Sequence, residues 1–509
     1  MHSRAKKTLL IIYAAIIPLA FLSCYLWLNY EALAHSCEKG ADHELMGIAI
    51  ELAKQGQALT GPYSRFGFRH PGPLMPYLYA FFEFALPGAS TPMGKHLIGQ
   101  ALLNTGFMIL VGWWCTQFVR PRWLALLSFS LCAMVMWGPG RPFFHDYWNP
   151  SVTMAPMLGA LLSAAAVARG RLGWIVPLTF SGAILCSSHL ACIPIYGVLV
   201  VGALGLFLKR GNIGMQIRRN LLPLSAALII LFGAVLPVLI EAAATAQYGN
   251  IGAIYRFQSA ATGTKPLGAA LEFVGSYFTG GIFSLLSLSP VLTLLLTIMS
   301  LLILAYLSQG FMRDLAFLCA LVTIVAVFSA TRVSGNFEAH LLRCMLGTAA
   351  ASQLVFAAFV TKKLRVFASH LPRASRLQLA PFFVLAAWIF YAGIPLSKQF
   401  TPRYEQCGRI AQPFMDALSP QHGDFYRLAI EDQDAWPFAA PLGLSLLRAG
   451  ADICVDEKWR YLFDSALTCA WQENLQGRAP RTLRLYRNPP AELPTTEHVF
   501  KGPLNWMLW

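Results

Sequence analysis

Long, continuous apolar runs dominate this chain, about eleven of them, each near the roughly 20 residues that a helix needs to cross a hydrocarbon layer. They begin near Thr8, His96, Arg122, Trp148, Gly173, Ala191, Asn220, Ser284, Arg313, Glu338 and Leu377. The apolar character persists through each run instead of alternating, so the runs read as helices and not as barrel strands. Hydrophobic residues make up 56% of the chain and charged ones only 12%, which excludes an ordinary soluble globular protein. The fold class expected is therefore a polytopic α-helical membrane protein with about 11 transmembrane helices. The first run follows the basic start MHSRAKK and could be read as a cleaved signal peptide ending near Ala32-Leu33-Ala34. Its apolar core of about 21 residues is too long for most such peptides, so an uncleaved anchor is expected.

Orientation follows from Lys and Arg in the short loops, because positive charge stays on the cytoplasmic side. Arg4/Lys6/Lys7, Arg120/Arg122, Arg169/Arg171, Lys209/Arg210/Arg218/Arg219, Arg313 and Lys362/Lys363/Arg365/Arg373/Arg376 fall on one side if every run crosses. The alternate short loops hold only Arg141, Arg256, Lys265 and Arg332. This puts the N-terminus inside and the C-terminal region outside. The same parity requires that Pro73 to Leu86 does not cross alone, so it is expected to be a short interfacial or partly inserted helix. The net charge of +15 arises mainly from these loops. It implies contact with anionic membrane lipids, not nucleic acid.

Beyond the last run the composition turns polar. Residues 402–509 are expected to form a small soluble α/β domain outside the membrane, following a transmembrane domain of residues 1–401 with outer loops 29–94 and 242–283. Within it, YRLAIED, ADICVD and RTLRLYR read as strands, and Trp436-Pro437 opens a crossover helix that stops near Gly450. Cys37, Cys407, Cys454 and Cys469 would face an oxidising compartment, where Cys454 and Cys469 could pair. The remaining cysteines lie mostly within spans as small apolar residues.

The loop after the first anchor, ADHELMGIAIELAKQGQALTGPYSRFGFRHPGP, is the richest in polar groups. Asp42, Glu44, Leu45, Ile48 and Leu52 describe a short amphipathic helix ending near Gly56 and expected to lie along the outer membrane surface. Asp42 also suits a plain helix N-cap. His145, Asp146 and Asn149 in HDYWNP could bind sugar or cap the helix beginning near Trp148. His189 stands at an outer turn, where a lone His is more often structural than a ligand. Glu241 ends an apolar helix, a costly place for a carboxylate unless it is paired or solvated; Arg256 is its plausible partner or a phosphate contact. Glu338, His340 and Arg343 read as interfacial anchors. The sequence has no zinc-ligand spacing, phosphate-binding loop or dinucleotide fingerprint.

An acidic residue opening a juxtamembrane helix, with Arg69-His70-Pro71 following it into the membrane, resembles the GT-C glycosyltransferases of the protein mannosyltransferase and aminoarabinose transferase type (family 39-like). The blocks GPYSRFGFRHPGP, FFHDYWNPS, CSSHLACIP, VLIEAAATAQYGN and DAWPFAAPLGLSLLRAGADICVDEKWRYLF look still more like a bacterial family of GT-C-like membrane proteins. The resemblance spans about Asp42 to Phe463 in widely spaced blocks. It implies a glycosyltransferase in the bacterial cytoplasmic membrane that moves a sugar from a polyprenyl-phosphate donor to a glycan, lipid or protein acceptor on the outer face. Asp42, with Glu44, falls on the catalytic acidic position, and Arg69-His70-Pro71 on the element that approaches the lipid phosphate. Arg65, Arg69, His70 and Arg256 would bind that phosphate, and His145, Asp146, Asn149, His189 and Glu241 the sugar or acceptor. No cofactor is implied with certainty, although some members use a divalent metal. Two departures stand out: His43 separates the two carboxylates, and His70 stands where the aminoarabinose branch commonly has Lys. A transporter of lipid-linked glycan and a non-catalytic assembly factor are the competing functions; charges gathered at helix ends, not deep within spans, weigh against transport.

Overall fold

The computed structural model describes residues 2–38, 40–86, 91–118, 146–211, 213–245, 249–260, 264–280, 287–368 and 411–486. In chain order the first elements are α1 (His2–Ala34), α2 (Ala41–Lys54), β1 (Tyr63–Ser64), β2 (Phe68–Arg69), α3 (Leu74–Ala85) and α4 (Pro92–Phe118). Then follow α5 (Met154–Ala168), α6 (Ile175–Ser188), α7 (Cys192–Leu208), α8 (Ile213–Arg219), α9 (Leu221–Ala244), α10 (Gly249–Ala260), α11 (Leu267–Ser276), α12 (Pro290–Leu307), α13 (Phe311–Thr331) and α14 (Met345–Ala368). The last are α15 (Gln412–Leu418), β3 (Phe425–Ile430), α16 (Trp436–Arg448), β4 (Asp452–Val455), α17 (Arg460–Phe463), α18 (Cys469–Gln476) and β5 (Arg481–Leu485).

Among the described residues, five helices are long and apolar enough to span a membrane: Pro92–Phe118, Ser151–Ala168, Leu221–Ala244, Pro290–Leu307 and Phe311–Thr331. A sixth results if α7 and α8, bent by 112°, count as one. The expected runs from Arg122 and Leu377 lie outside the described residues.

The chain divides into two compact units. One contains the described parts of Met1–Tyr30, Leu97–Gly233 and Ala261–Thr401; the other, those of Glu31–His96, Ala234–Ala260 and the segment from Pro402 onward. The first unit is a helical bundle with α5 at its centre, buried along its whole length and packed against α6, α7, α13 and α14. Small residues such as Gly159, Ala160 and Ala164 to Ala166 permit that closeness. Two ends of the bundle are distinct. At one, Phe118 ending α4, Arg169 after α5, Arg210 after α7 and Phe311 opening α13 come together, with ring centroids of Phe118 and Phe311 3.6 Å apart. At the other, Asp146, Trp148 and Asn149 meet the turns at Ser188 and His340. The basic loops around Arg169, Arg210 and Arg313 therefore share one end, as the charge pattern requires.

The second unit holds a three-stranded parallel sheet in the order β4-β3-β5, with Tyr426 opposite both Ile453 and Arg481. Strands and crossover helix lie where alternation and the Trp436-Pro437 start predict them. Cys454 and Cys469 are joined by a disulfide, with Cα atoms 4.8 Å apart. Helix α2 begins after Gly40 with Asp42 and Glu44 in its first turn and Lys54 in its last, matching the helix dipole at both ends. Its apolar stripe corrects the expectation of a helix resting on the membrane surface: Leu45, Ile48 and Leu52 are buried in one core with Leu428, Leu442, Leu444 and Ile453. Periodicity identified a buried face, but the sheet unit, not lipid, covers it. Arg448 of α16 reinforces the contact by pairing with Glu38 at 2.6 Å and Glu51 at 3.4 Å.

Candidate active site

Asp42 does not cap its helix. Gly40 takes that position, and Asp42 sits within the first turn, where its Oδ1 accepts a hydrogen bond from the Tyr63 hydroxyl. Tyr63 opens β1 and rests beside Trp436, ring centroids 5.9 Å apart. Burial first, and then the carboxylate of Asp42, push the Tyr63 hydroxyl well above its ordinary pKa, so it remains a donor. Glu44 differs from Asp42. Burial, with Glu38 nearby, pushes Glu44 up to about 8 against the opposing pull of Arg448. At neutral pH Glu44 keeps its proton.

Strands β1 and β2 form a short antiparallel hairpin, Tyr63 facing Arg69 and Ser64 facing Phe68. Its turn, Arg65-Phe66-Gly67, closes through Gly67 at φ 79°, a conformation that suits glycine. Arg65 and Phe66 are exposed at the tip, and the rings of Phe66 and Phe68 pack tilted against Phe257 of α10, with centroids 5.1 and 4.9 Å away. Arg256, beside Phe257, is exposed as well. The structure thus brings the tip of the first loop, with Arg65, onto the helix that carries Arg256.

Arg69, expected to contact phosphate, is held by protein groups. Its side chain is 3% exposed, with Nε donating to Gly61 O at 3.0 Å and lying 3.3 Å from Asp464 Oδ2, while Nη1 donates to Leu462 O at 2.5 Å. Asp464 is fully buried, accepts from Thr60 Oγ1 at 2.5 Å, and takes φ 102° and ψ 151°. That backbone region is close to glycine-only, so its strain is sustained by the surrounding contacts. Arg69 therefore pins the hairpin to the C-terminal segment. His70 is also buried, its backbone paired with Gly61 and Pro62 and its ring edge-on to Phe68.

Asn250 fixes the other side. Its side chain exchanges two hydrogen bonds with the backbone of Arg69, at 2.7 and 2.8 Å. Its own N–H donates to both oxygens of Glu241 at about 3 Å. Gly249, at φ 49°, allows this approach, since a Cβ there would lie 2.4 Å from Glu241 Oε1. Glu241 is thus met by the backbone of Asn250. Between these groups lies a small open pocket, lined by Thr60, Arg69, Glu241, Asn250, Arg460 and Tyr461 among others. Arg460 and Tyr461 come from α17, which packs on α2 and on both hairpin strands. Arg460 pairs with Glu457 at 2.7 Å and keeps a quarter of its side chain exposed.

The other expected residues belong to the helical bundle. Asp146 accepts from Trp148 N at 2.9 Å and Ser151 Oγ at 2.6 Å, and Arg343 lies 3.6 Å away. It caps the turn leading into α5. Asn149 donates to Ser188 O at 3.0 Å, and His189 is buried at the end of α6. His145 lies outside the described residues. Among the described residues no group of three or more His, Cys, Asp or Glu is gathered as a metal site. The motifs gave no role to Thr60, Tyr63, Asn250, Arg460 or Asp464. Arg460 stood in the quoted KWRYLF block; for Asp464 no local signal exists, because its partners lie some four hundred residues earlier in the chain.

This chain has a GT-C fold, as its sequence blocks implied. It is similar to the crystal structure of ArnT from Cupriavidus metallidurans bound to undecaprenyl phosphate, with a TM-score of 0.54 and 12% identity over 91% of this chain and 89% of that one. The apo structure of the same ArnT matches with the same score and identity over 92% of each chain. No protein-family profile and no curated protein matches the sequence.

Proposed function

We propose that this protein is an integral membrane glycosyltransferase that takes a sugar from a polyprenyl-phosphate donor and passes it to a glycan, lipid or protein hydroxyl. The observation that carries the reading is the meeting of α2, the hairpin and α17 in one unit, with Asp42 one hydrogen bond from the hairpin strand that faces Arg69. The shared fold with an ArnT bound to undecaprenyl phosphate supports the class of donor.

In this reading Asp42 accepts the proton of the acceptor hydroxyl as its oxygen bonds to the anomeric carbon. The bond from that carbon to the phosphate oxygen breaks, and the sugar is inverted. The departing polyprenyl phosphate needs positive charge more than it needs a proton. Arg65, Arg256 and Arg460 supply that charge from exposed or half-exposed positions, with guanidinium forks suited to phosphate oxygens. Arg69 and His70 hold the hairpin, and Tyr63 orients the Asp42 carboxylate. Glu241 and Asn250 shape the pocket wall. A divalent metal is compatible with the fold type, but no step is assigned to one. The accompanying topology has about eleven crossings, the N-terminus inside and residues 402–509 outside the cytoplasmic membrane.

The test is transfer from a panel of polyprenyl-phosphate sugars to a mixed envelope-glycan acceptor, with Arg65→Gln, Arg256→Gln and Arg460→Gln variants. Each is expected to raise the KM for the lipid donor roughly tenfold, in line with the loss of one charge-assisted phosphate contact. Unchanged KM in all three would remove these residues from the donor site.

A further inference from the structure

At one end of the helical bundle three arginines, two following α5 and α7 and one in the first turn of α13, converge on a single carboxylate. Asp314, fully buried in the first turn of α13, has Oδ2 3.1 Å from Arg169 Nε and 3.1 Å from Arg210 Nη2, and Oδ1 2.9 Å from Arg313 Nη2. Arg210 is fixed further by donating to Ala168 O at 2.6 Å. One negative charge against three positive ones leaves two uncompensated. An aspartate offers about four acceptor sites, whereas three guanidinium groups bring about fifteen N–H donors, so most of the donors must face other partners. Their side chains are 21%, 29% and 46% exposed, within reach of solutes and lipid.

Loop charge that merely sets orientation needs no such arrangement, because separated lysines and arginines in water serve equally well. Gathering like charges around one carboxylate is costly unless a further anion relieves it. The rim is aromatic: Phe311 lies 5.6 Å from the Arg169 guanidinium, and Arg171 lies 5.8 Å from the Phe118 ring. Trp174 stacks on Trp113 beside them. Aromatic rings beside guanidinium groups at the ends of spanning helices match the level of lipid headgroups.

We propose that Arg169, Arg210 and Arg313, held by Asp314, form a binding site for a phosphate oxyanion, as presented by the headgroup of an anionic phospholipid. The site lies at the bundle end opposite Asp146 and His340 and owes nothing to the glycosyl-transfer reading.

The experiment uses the full chain purified in detergent. Native mass spectrometry compares retention of phosphatidylglycerol with that of phosphatidylcholine, and a separate arm measures the thermal shift produced by inorganic phosphate. Wild type is expected to prefer phosphatidylglycerol by roughly tenfold or more, falling roughly fivefold for each arginine lost in Arg169→Gln/Arg313→Gln. Inorganic phosphate stabilising wild type but not the double variant would assign the same site to free phosphate. Equal retention of the two lipids with no response to phosphate, or full preference in the folded double variant, would overturn the proposal. If the double variant does not fold, Arg313→Gln alone gives the same comparison, because its guanidinium is the most exposed of the three.

Discussion

Two buried aspartates in this protein meet arginine in opposite ways. In the unit with the hairpin, Asp464 faces Arg69 one to one, both almost inaccessible, and Arg69 also donates to the carbonyls of Gly61 and Leu462. In the helical bundle, Asp314 faces three arginines that reach solvent. The first pair is closed: its charges cancel and both partners lie out of reach of solvent. The second is open, with charge and donors to spare. Burial of an arginine in a motif is thus a poor guide to phosphate binding, and the partner inventory decides.

The comparison breaks most visibly if Asp464 is removed. Asp464→Ala strands a buried guanidinium and is expected to cost about 3–5 kcal/mol, read as a large fall in melting temperature. A small effect would show that Arg69 can escape to water. Asp314→Asn should cost less, about 1–3 kcal/mol, because its half-exposed arginines can splay into solvent or onto anionic lipid. If it proves as damaging as Asp464→Ala, the two clusters are alike and the contrast fails.

A finer test uses a carboxylate whose burial outweighs its one nearby arginine. Glu44, pushed up to about 8, holds in the folded state a proton that the unfolded chain releases near its ordinary 4.5. The folded state therefore binds more protons across that window, and stability falls as pH rises from about 4.5 to 8, after which the deficit is complete. Melting temperature should decline by a few degrees over this range in wild type and less in Glu44→Gln. Parallel curves would place the titration elsewhere.

Much of the fold was legible because continuous apolar runs have few alternatives, and the alternating YRLAIED segment could be little but a strand. The stripe of α2 was equally legible as a buried face, yet its covering was not: lipid and Leu444 present the same apolar demand to Leu45, Ile48 and Leu52. The site was legible in part. Arg69-His70-Pro71 stood out as a motif, but the carboxylate that claims Arg69 lies far along the chain, 404 residues beyond Thr60, which also donates to it. Local spacing carries no information about such pairs. Tyr63 lay within the first loop, but a tyrosine between glycines and arginines has no signature until a strand aims it at Asp42.

The central claim is that Asp42 is the base of a glycosyl transfer. Its most direct test is single-turnover transfer from a polyprenyl-phosphate sugar that wild type accepts, comparing Asp42→Asn with Glu44→Gln after both are shown to be folded and to bind donor. Loss of a carboxylate base should lower the rate by about 10²–10⁴-fold in Asp42→Asn, with donor affinity little changed, and leave Glu44→Gln near wild type. Equal rates in wild type and Asp42→Asn would contradict it.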